Sequence, residues 1–201
     1  MIIIGITGPT GAGKTTALWE LDRLGAAILD CDALYHEMLE SDTALQEELT
    51  RAFGDLSNGQ GGFDRKKLGA VVFRDPALLT QLDTIVRPYI LRGVEEALGH
   101  MRAEGCRAAA VDGITLFETG LFALCDATVA VLAPVEDRVR RICLREGIDE
   151  AYARARVAAQ KKDEFYRERC DHVLYNDCAS AEEFAEKARQ LFSRLLGQAD
   201  M

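Results

Sequence analysis

Nowhere does this chain run apolar for the ~20 residues that a membrane-crossing helix needs, so neither a membrane-embedded protein nor a membrane partner is expected. Its opening apolar run, Met1 to Thr7, is too short for a secretory leader and lacks the charged flank and cleavage site. The expected compartment is the cytoplasm. Positive charge is scarce: 24 Lys and Arg face 33 Asp and Glu, a formal net charge of −9. Nucleic-acid binders usually present a basic surface, so nucleic acid is not an expected partner either. No C-x-x-C pair occurs among Cys31, Cys106, Cys125, Cys143, Cys170 and Cys178. Reduced, they read as small core residues. Cys170, His172 and Cys178 lack the fourth donor that zinc spacings require. Also missing are the N-K-x-D tetrapeptide with which GTPases read their base, any internal repeat and any low-complexity tract.

The pattern that is present alternates strands with helices. Ile2 to Thr7 stops at a glycine-rich turn, which suits a strand buried on both faces of a parallel sheet. A helix is expected from about Lys14 to Leu24, closed by Gly25, then a strand over Ala26 to Asp30. Further strands are predicted at Arg107 to Val111, ending at Asp112, at Ala127 to Leu132 and at His172 to Tyr175. Ser180-Ala-Glu-Glu183 opens the last helix as a capping box. A long helical insertion is broken by the glycine-rich stretch from Gly54 to Gly62 and restarts at Asp75-Pro76, a cap followed by a first-turn proline. The expectation is an α/β protein of three layers with a five-stranded parallel sheet. Residues 1–32 and 102–201 would form its core and 33–101 a helical lobe.

Gly8-Pro-Thr-Gly-Ala-Gly13-Lys14-Thr15 satisfies G-x-x-x-x-G-K-[ST], and it stands between a strand and a helix, where the mechanism of that motif needs it. Gly8, Gly11 and Gly13 let backbone wrap closely around oxygens. The amides of Ala12 and its neighbours, through Thr15 and Thr16, then direct partial positive charge at the phosphates of ATP. Lys14 reaches the β- and γ-phosphates and Thr15 holds Mg²⁺. Such a loop serves small-molecule kinases, switch proteins and motor ATPases alike.

Asp30-Cys-Asp32 follows the second strand, at the sheet edge where ligands bind in open parallel sheets. Asp32 either takes the proton of a substrate hydroxyl or caps the next helix. Asp30 is a second candidate for Mg²⁺, and Asp112 is either a further one or a plain strand-ending acid. Between Arg138 and Arg169 ten Lys or Arg stand against six Asp or Glu, a local excess of +4 within an acidic chain. That suits a compact anion such as a polyphosphate. Arg138, Arg141 and Arg145, spaced i, i+3, i+7, share a helix face. An arginine from such a segment, about 138–167, stabilises charge on the transferring phosphoryl oxygens, and as a lid the segment excludes water.

With these motifs in hand the chain resembles the dephospho-coenzyme A kinases nearly end to end. The resemblance is carried by the phosphate loop, Leu29-Asp-Cys-Asp32, Phe63-Asp-Arg65-Lys-Lys-Leu68, Ile85-Val-Arg-Pro-Tyr-Ile90 and Leu116-Phe117-Glu118. Arg145-Glu-Gly, Ala155-Arg156-Val-Ala-Ala-Gln160 and Asp171-His-Val-Leu-Tyr-Asn176 continue it. It implies transfer of the ATP γ-phosphate to the ribose 3′-hydroxyl of dephospho-coenzyme A. Asp32 would be the base, with Lys14, Arg141 and Arg145 stabilising charge. The helical lobe, with Arg65 and Arg87, and the lid residues Arg156 and Gln160 would meet the acceptor, and Asn176 would lie by the adenine. Arg87-Pro88 stands where the family usually has His-Pro, and Ile114-Thr115-Leu116 where it has proline and two leucines. A nucleoside or nucleotide kinase with another acceptor is the alternative enzyme. A regulatory protein that binds ATP without transferring phosphate is the alternative from another class.

Overall fold

The computed structural model describes residues 1–59 and 62–197. In chain order these form β1 (Ile2–Thr7), α1 (Lys14–Arg23), β2 (Ala26–Asp30), α2 (Cys31–Ser41), α3 (Thr43–Phe53), α4 (Arg65–Val72), α5 (Pro76–Ala103), β3 (Ala108–Asp112), β4 (Ala127–Leu132), α6 (Val135–Glu146), α7 (Glu150–Ala158), α8 (Asp163–Arg167), β5 (His172–Tyr175) and α9 (Ala181–Gly197). They cluster into two compact units, one of residues 1–29 and 100–201 and one of residues 30–99. Among the described residues no helix is long and apolar enough to cross a membrane. Part of the predicted glycine-rich break, at 60–61, lies outside the described residues.

The sheet is parallel, in the order β2-β3-β1-β4-β5. β1, the central strand, is apolar at nearly every position because both of its faces are covered. Alternation along β4 shows this directly. Val129 and Val131 join Ile4, Ile6, Leu174 and the helix residues Leu21, Phe184 and Phe192 in one cluster. Ala130 and Leu132 pack instead with Tyr166. Register sets the site: Ile6 lies opposite Asp112 on β3, and Thr7 opposite Ala130 on β4. The loop leaving β1 therefore emerges between the ends of β3 and β4. The expected capping box at the start of α9 forms in altered shape: the Glu183 amide donates to Ser180 Oγ, while the Glu183 carboxylate accepts from Ala179.

The 30–99 unit has its own core of Leu39, Leu45, Leu49, Leu56, Leu68, Val72 and Val86. Asp42, Asp64 and Asp75 each accept a backbone amide at the start of α3, α4 and α5, the side-chain cap that a helix start needs.

One carboxylate fixes the edge of the sheet. Asp171 Oδ2 accepts the amide of Thr128 at 2.8 Å and its hydroxyl at 2.7 Å, pinning β5 to β4. The hydroxyl bond above all holds the Asp171 carboxyl below the usual carboxylate range. A group depressed by folding adds stability that is complete above its unfolded value of about 3.9 and lost as pH falls through its lower folded value. Asp171→Ala is expected to cost about 1–2 kcal/mol at pH 7. That corresponds to a Tm lower by roughly 2–8 °C for a chain of this size. Thermal melts should show this gap at pH 7 and show it narrowing below about pH 4.

Candidate active site

The glycine-rich turn is shaped by close approaches as much as by its own flexibility. A Cβ on Gly8, which has φ +139°, would lie 2.1 Å from the Val131 carbonyl oxygen at the end of β4. On Gly13, at φ +109°, it would lie 2.5 Å from Asn176 Nδ2. Only glycine fits either place. The loop walls a cleft of about 260 Å³, lined by Pro9 through Thr15 with Ile114, Arg141 and Arg145. Gly13 precedes α1 without any side-chain cap. Among the described residues the amides of Gly11, Gly13, Lys14 and Thr15 meet no protein acceptor, whereas that of Ala12 donates to Pro9. A helix start with open amides is an anion site.

Lys14 Nζ stands 3.3 Å from Asp112 Oδ1, and both side chains are mostly buried. Asp112 is there because the β1–β3 register sets it across from Ile6, directly before the loop. The Thr7 hydroxyl donates to the Ile114 carbonyl and ties down the segment after β3.

The three arginines predicted to share a face do so, and it is the face turned to the loop. Arg138 Nε donates to the Thr10 carbonyl at 3.1 Å. Arg141 Nη1 reaches the Gly11 carbonyl at 3.2 Å. Arg145 lines the cleft while pairing with Glu146, which also receives Arg156. The two cations hold the Glu146 carboxyl below its ordinary range. Arg138 is only 3% exposed. Burial pushes its guanidinium below its usual value, with Asp163 opposing the loss of charge. Gln160 sits on Thr10: its carbonyl accepts the Thr10 amide and Arg138, and its amide donates to the Thr10 hydroxyl. Asn176 is buried and donates to the Ala12 carbonyl at 2.9 Å.

Asp30 takes the capping role at α2, its Oδ1 accepting the amides of Asp32 and Ala33. Asp32 is exposed in the first turn, and among the described residues its carboxylate has no hydrogen bond or ion pair. In the same unit Arg65 is the first residue of α4 and Arg87 precedes Pro88 within α5, both exposed. Thr15 is exposed and Thr16 half-buried at the start of α1. Arg138, Thr10 and Ile114 were not singled out as site residues by the sequence. Arg138 shared the spacing of Arg141 and Arg145, which was the available signal. All six cysteines are free, and among the described residues no three His, Cys, Asp or Glu group as a metal site. Burial pushes the Cys170 thiol up to about 11, as for a thiol packed into the core.

The protein-family model described as dephospho-CoA kinase matches residues 2–182. A dephospho-CoA kinase from Corynebacterium diphtheriae is 35% identical over 201 residues, the whole of both chains. One from Anaeromyxobacter dehalogenans is 37% identical over 98% of this chain and 93% of its own. Among solved structures, that of a Thermus thermophilus protein, 35% identical, superposes over 97% of both chains with a TM-score of 0.78. Because the match runs through the loop, the helical insertion and the arginine segment alike, and not through the phosphate motif alone, the chain belongs to the dephospho-CoA kinase family.

Proposed function

We propose that this chain transfers the γ-phosphate of ATP to the ribose 3′-hydroxyl of dephospho-coenzyme A, giving coenzyme A and ADP in the cytoplasm. The observation that carries the reading is the cleft whose open amides and Lys14 suit a polyphosphate, within a chain matched end to end by a kinase family. The loop holds the β- and γ-phosphates. Lys14, Arg141 and Arg145 oppose charge growing on the transferring oxygens. Asp32 orients the acceptor hydroxyl and accepts its proton. The helical lobe, with Arg65 and Arg87, receives the acceptor, and 138–167 serves as the lid that excludes water, with Arg156 toward the acceptor.

Mg²⁺ prefers hard oxygens and is held mainly through phosphates and water. The Thr15 hydroxyl and the Asp112 carboxylate are donors of that kind, Asp30 being a further candidate. Bound there, the ion would neutralise part of the charge on the β- and γ-phosphates.

The test is ADP release with ATP, Mg²⁺ and dephospho-coenzyme A, with mass spectrometry of the acceptor. Coenzyme A, heavier by one phosphate group, is the expected product. ATP binding without any phosphorylated dephospho-coenzyme A would overturn the acceptor, and a panel of nucleosides and nucleotides would then identify the true one.

A further inference from the structure

A glycine-rich loop is not an anion site merely by being flexible. Glycine adopts many peptide orientations at low cost, including ones that would turn a carbonyl toward the phosphates. In this chain the orientation is fixed from outside. A trans peptide is planar, with its carbonyl and the next amide pointing opposite ways. Holding the Thr10 carbonyl outward therefore aims the Gly11 amide inward, and holding the Ala12 carbonyl outward does the same for Gly13. Those are two of the amides that meet no protein acceptor among the described residues.

The holding groups come from three distant places in the sequence. Arg138 Nε takes the Thr10 carbonyl at 3.1 Å. Gln160 braces that residue from the other side, with Oε1 on the Thr10 amide at 3.2 Å and Nε2 on the Thr10 hydroxyl at 2.8 Å. The same Oε1 receives Arg138 Nη2 at 2.5 Å, locking the pair together. Asn176 Nδ2 takes the Ala12 carbonyl at 2.9 Å, with Arg141 Nη1 a longer second donor to it at 3.4 Å, and occupies the space that a Gly13 Cβ would need. Its backbone amide donates to the Leu132 carbonyl at 2.7 Å, so the side chain is delivered from the end of the β4–β5 ladder.

We propose that Asn176 and the Arg138–Gln160 pair are positioning residues that hold the carbonyls of Ala12 and Thr10 outward and so set the affinity of the loop for polyphosphate. This differs from a place for Asn176 beside the adenine and for Gln160 on the acceptor. It rests on the proposed phosphate-binding reading of the cleft.

Two halves of the nucleotide separate the possibilities: inorganic tripolyphosphate, which engages only the loop, and adenosine, which engages only the base and sugar site. Inhibition constants against ATP would be measured for wild type, Asn176→Leu and Gln160→Met. Tripolyphosphate should weaken about tenfold or more in both variants, equivalent to about 1.4 kcal/mol. Adenosine should change less than twofold. Adenosine weakening in step with tripolyphosphate would overturn the proposal, as would unchanged tripolyphosphate in variants that melt like wild type. Gln160 is less buried than Asn176, and Gln160→Met carries the same test should Asn176→Leu fold poorly. A wild-type chain that tripolyphosphate does not inhibit would instead remove the phosphate-site reading itself.

Discussion

Lys14→Ala is expected to lower turnover by about 10³-fold or more, the scale reached when a preorganised group facing developing charge is removed. Two separate effects combine in this variant. Lys14 and Asp112 stand 3.3 Å apart. At the effective dielectric of about 20 suited to such sites, that is roughly 5 kcal/mol of attraction before solvation is counted. An arriving polyphosphate carries several negative charges and outcompetes one carboxylate for the ammonium. Without the lysine, the phosphates lose their cation, and the Asp112 carboxylate faces them unscreened by it. Both ATP affinity and kcat therefore fall. The larger loss belongs to kcat, because charge on the transferring oxygens is most in need of a fixed cation in the transition state. Lys14→Met keeps most of the aliphatic stem and should lose activity to the same degree, which assigns the effect to charge and not to packing. Trp19, the lone tryptophan, lies on α1 just after the loop, so its fluorescence reports whether this region melts as in wild type. A folded Lys14→Ala with turnover within tenfold of wild type would refute the assignment.

What could be read from the sequence was whatever is local. β4 and β5 have the predicted bounds because each is a short apolar run between turn residues. α1 ends one residue early, since Gly25 at φ +86° takes Leu24 out of the helix as its cap. The fixed positions of the phosphate motif stand together in space because they are neighbours in the chain. The groups that fix the loop's shape were not legible in the same way. Arg138, Gln160 and Asn176 are 128, 150 and 164 residues from their loop partners. They converge because β4 lies beside β1, and strand order leaves no periodicity in the sequence. The two acids after β2 illustrate the finer limit. Either residue of Asp30-Cys-Asp32 is chemically able to cap a helix, and a shift of one residue in the helix start decides between them. α2 begins at Cys31, so Asp30 caps and Asp32 falls inside the first turn.

That division of labour makes Asp32→Asn an informative substitution. The expected result is a fall in kcat of about 10²–10⁴-fold, the usual contribution of a general base, with ATP affinity within about threefold of wild type. Asparagine keeps the size of the side chain and removes its negative charge and, with it, the ability to accept the hydroxyl proton. The fold should tolerate it. The cap is supplied by Asp30, whose Oδ1 holds the amides at 2.9 and 3.0 Å. The loss of one negative charge in a first helical turn costs only about 0.3–1 kcal/mol. Asp30→Ala is the contrasting variant: losing the cap should cost about 0.5–2 kcal/mol of stability, with a smaller effect on chemistry. Isothermal calorimetry with a non-hydrolysable ATP analogue, beside steady-state rates for both variants, separates the two acids. Near-normal turnover by Asp32→Asn would take that residue out of the chemistry. A parallel collapse of nucleotide affinity would mean that the carboxylate serves the nucleotide and its ion, not the acceptor hydroxyl. If only kcat falls and nucleotide affinity is kept, Asp32 is the group that accepts the proton of the acceptor hydroxyl.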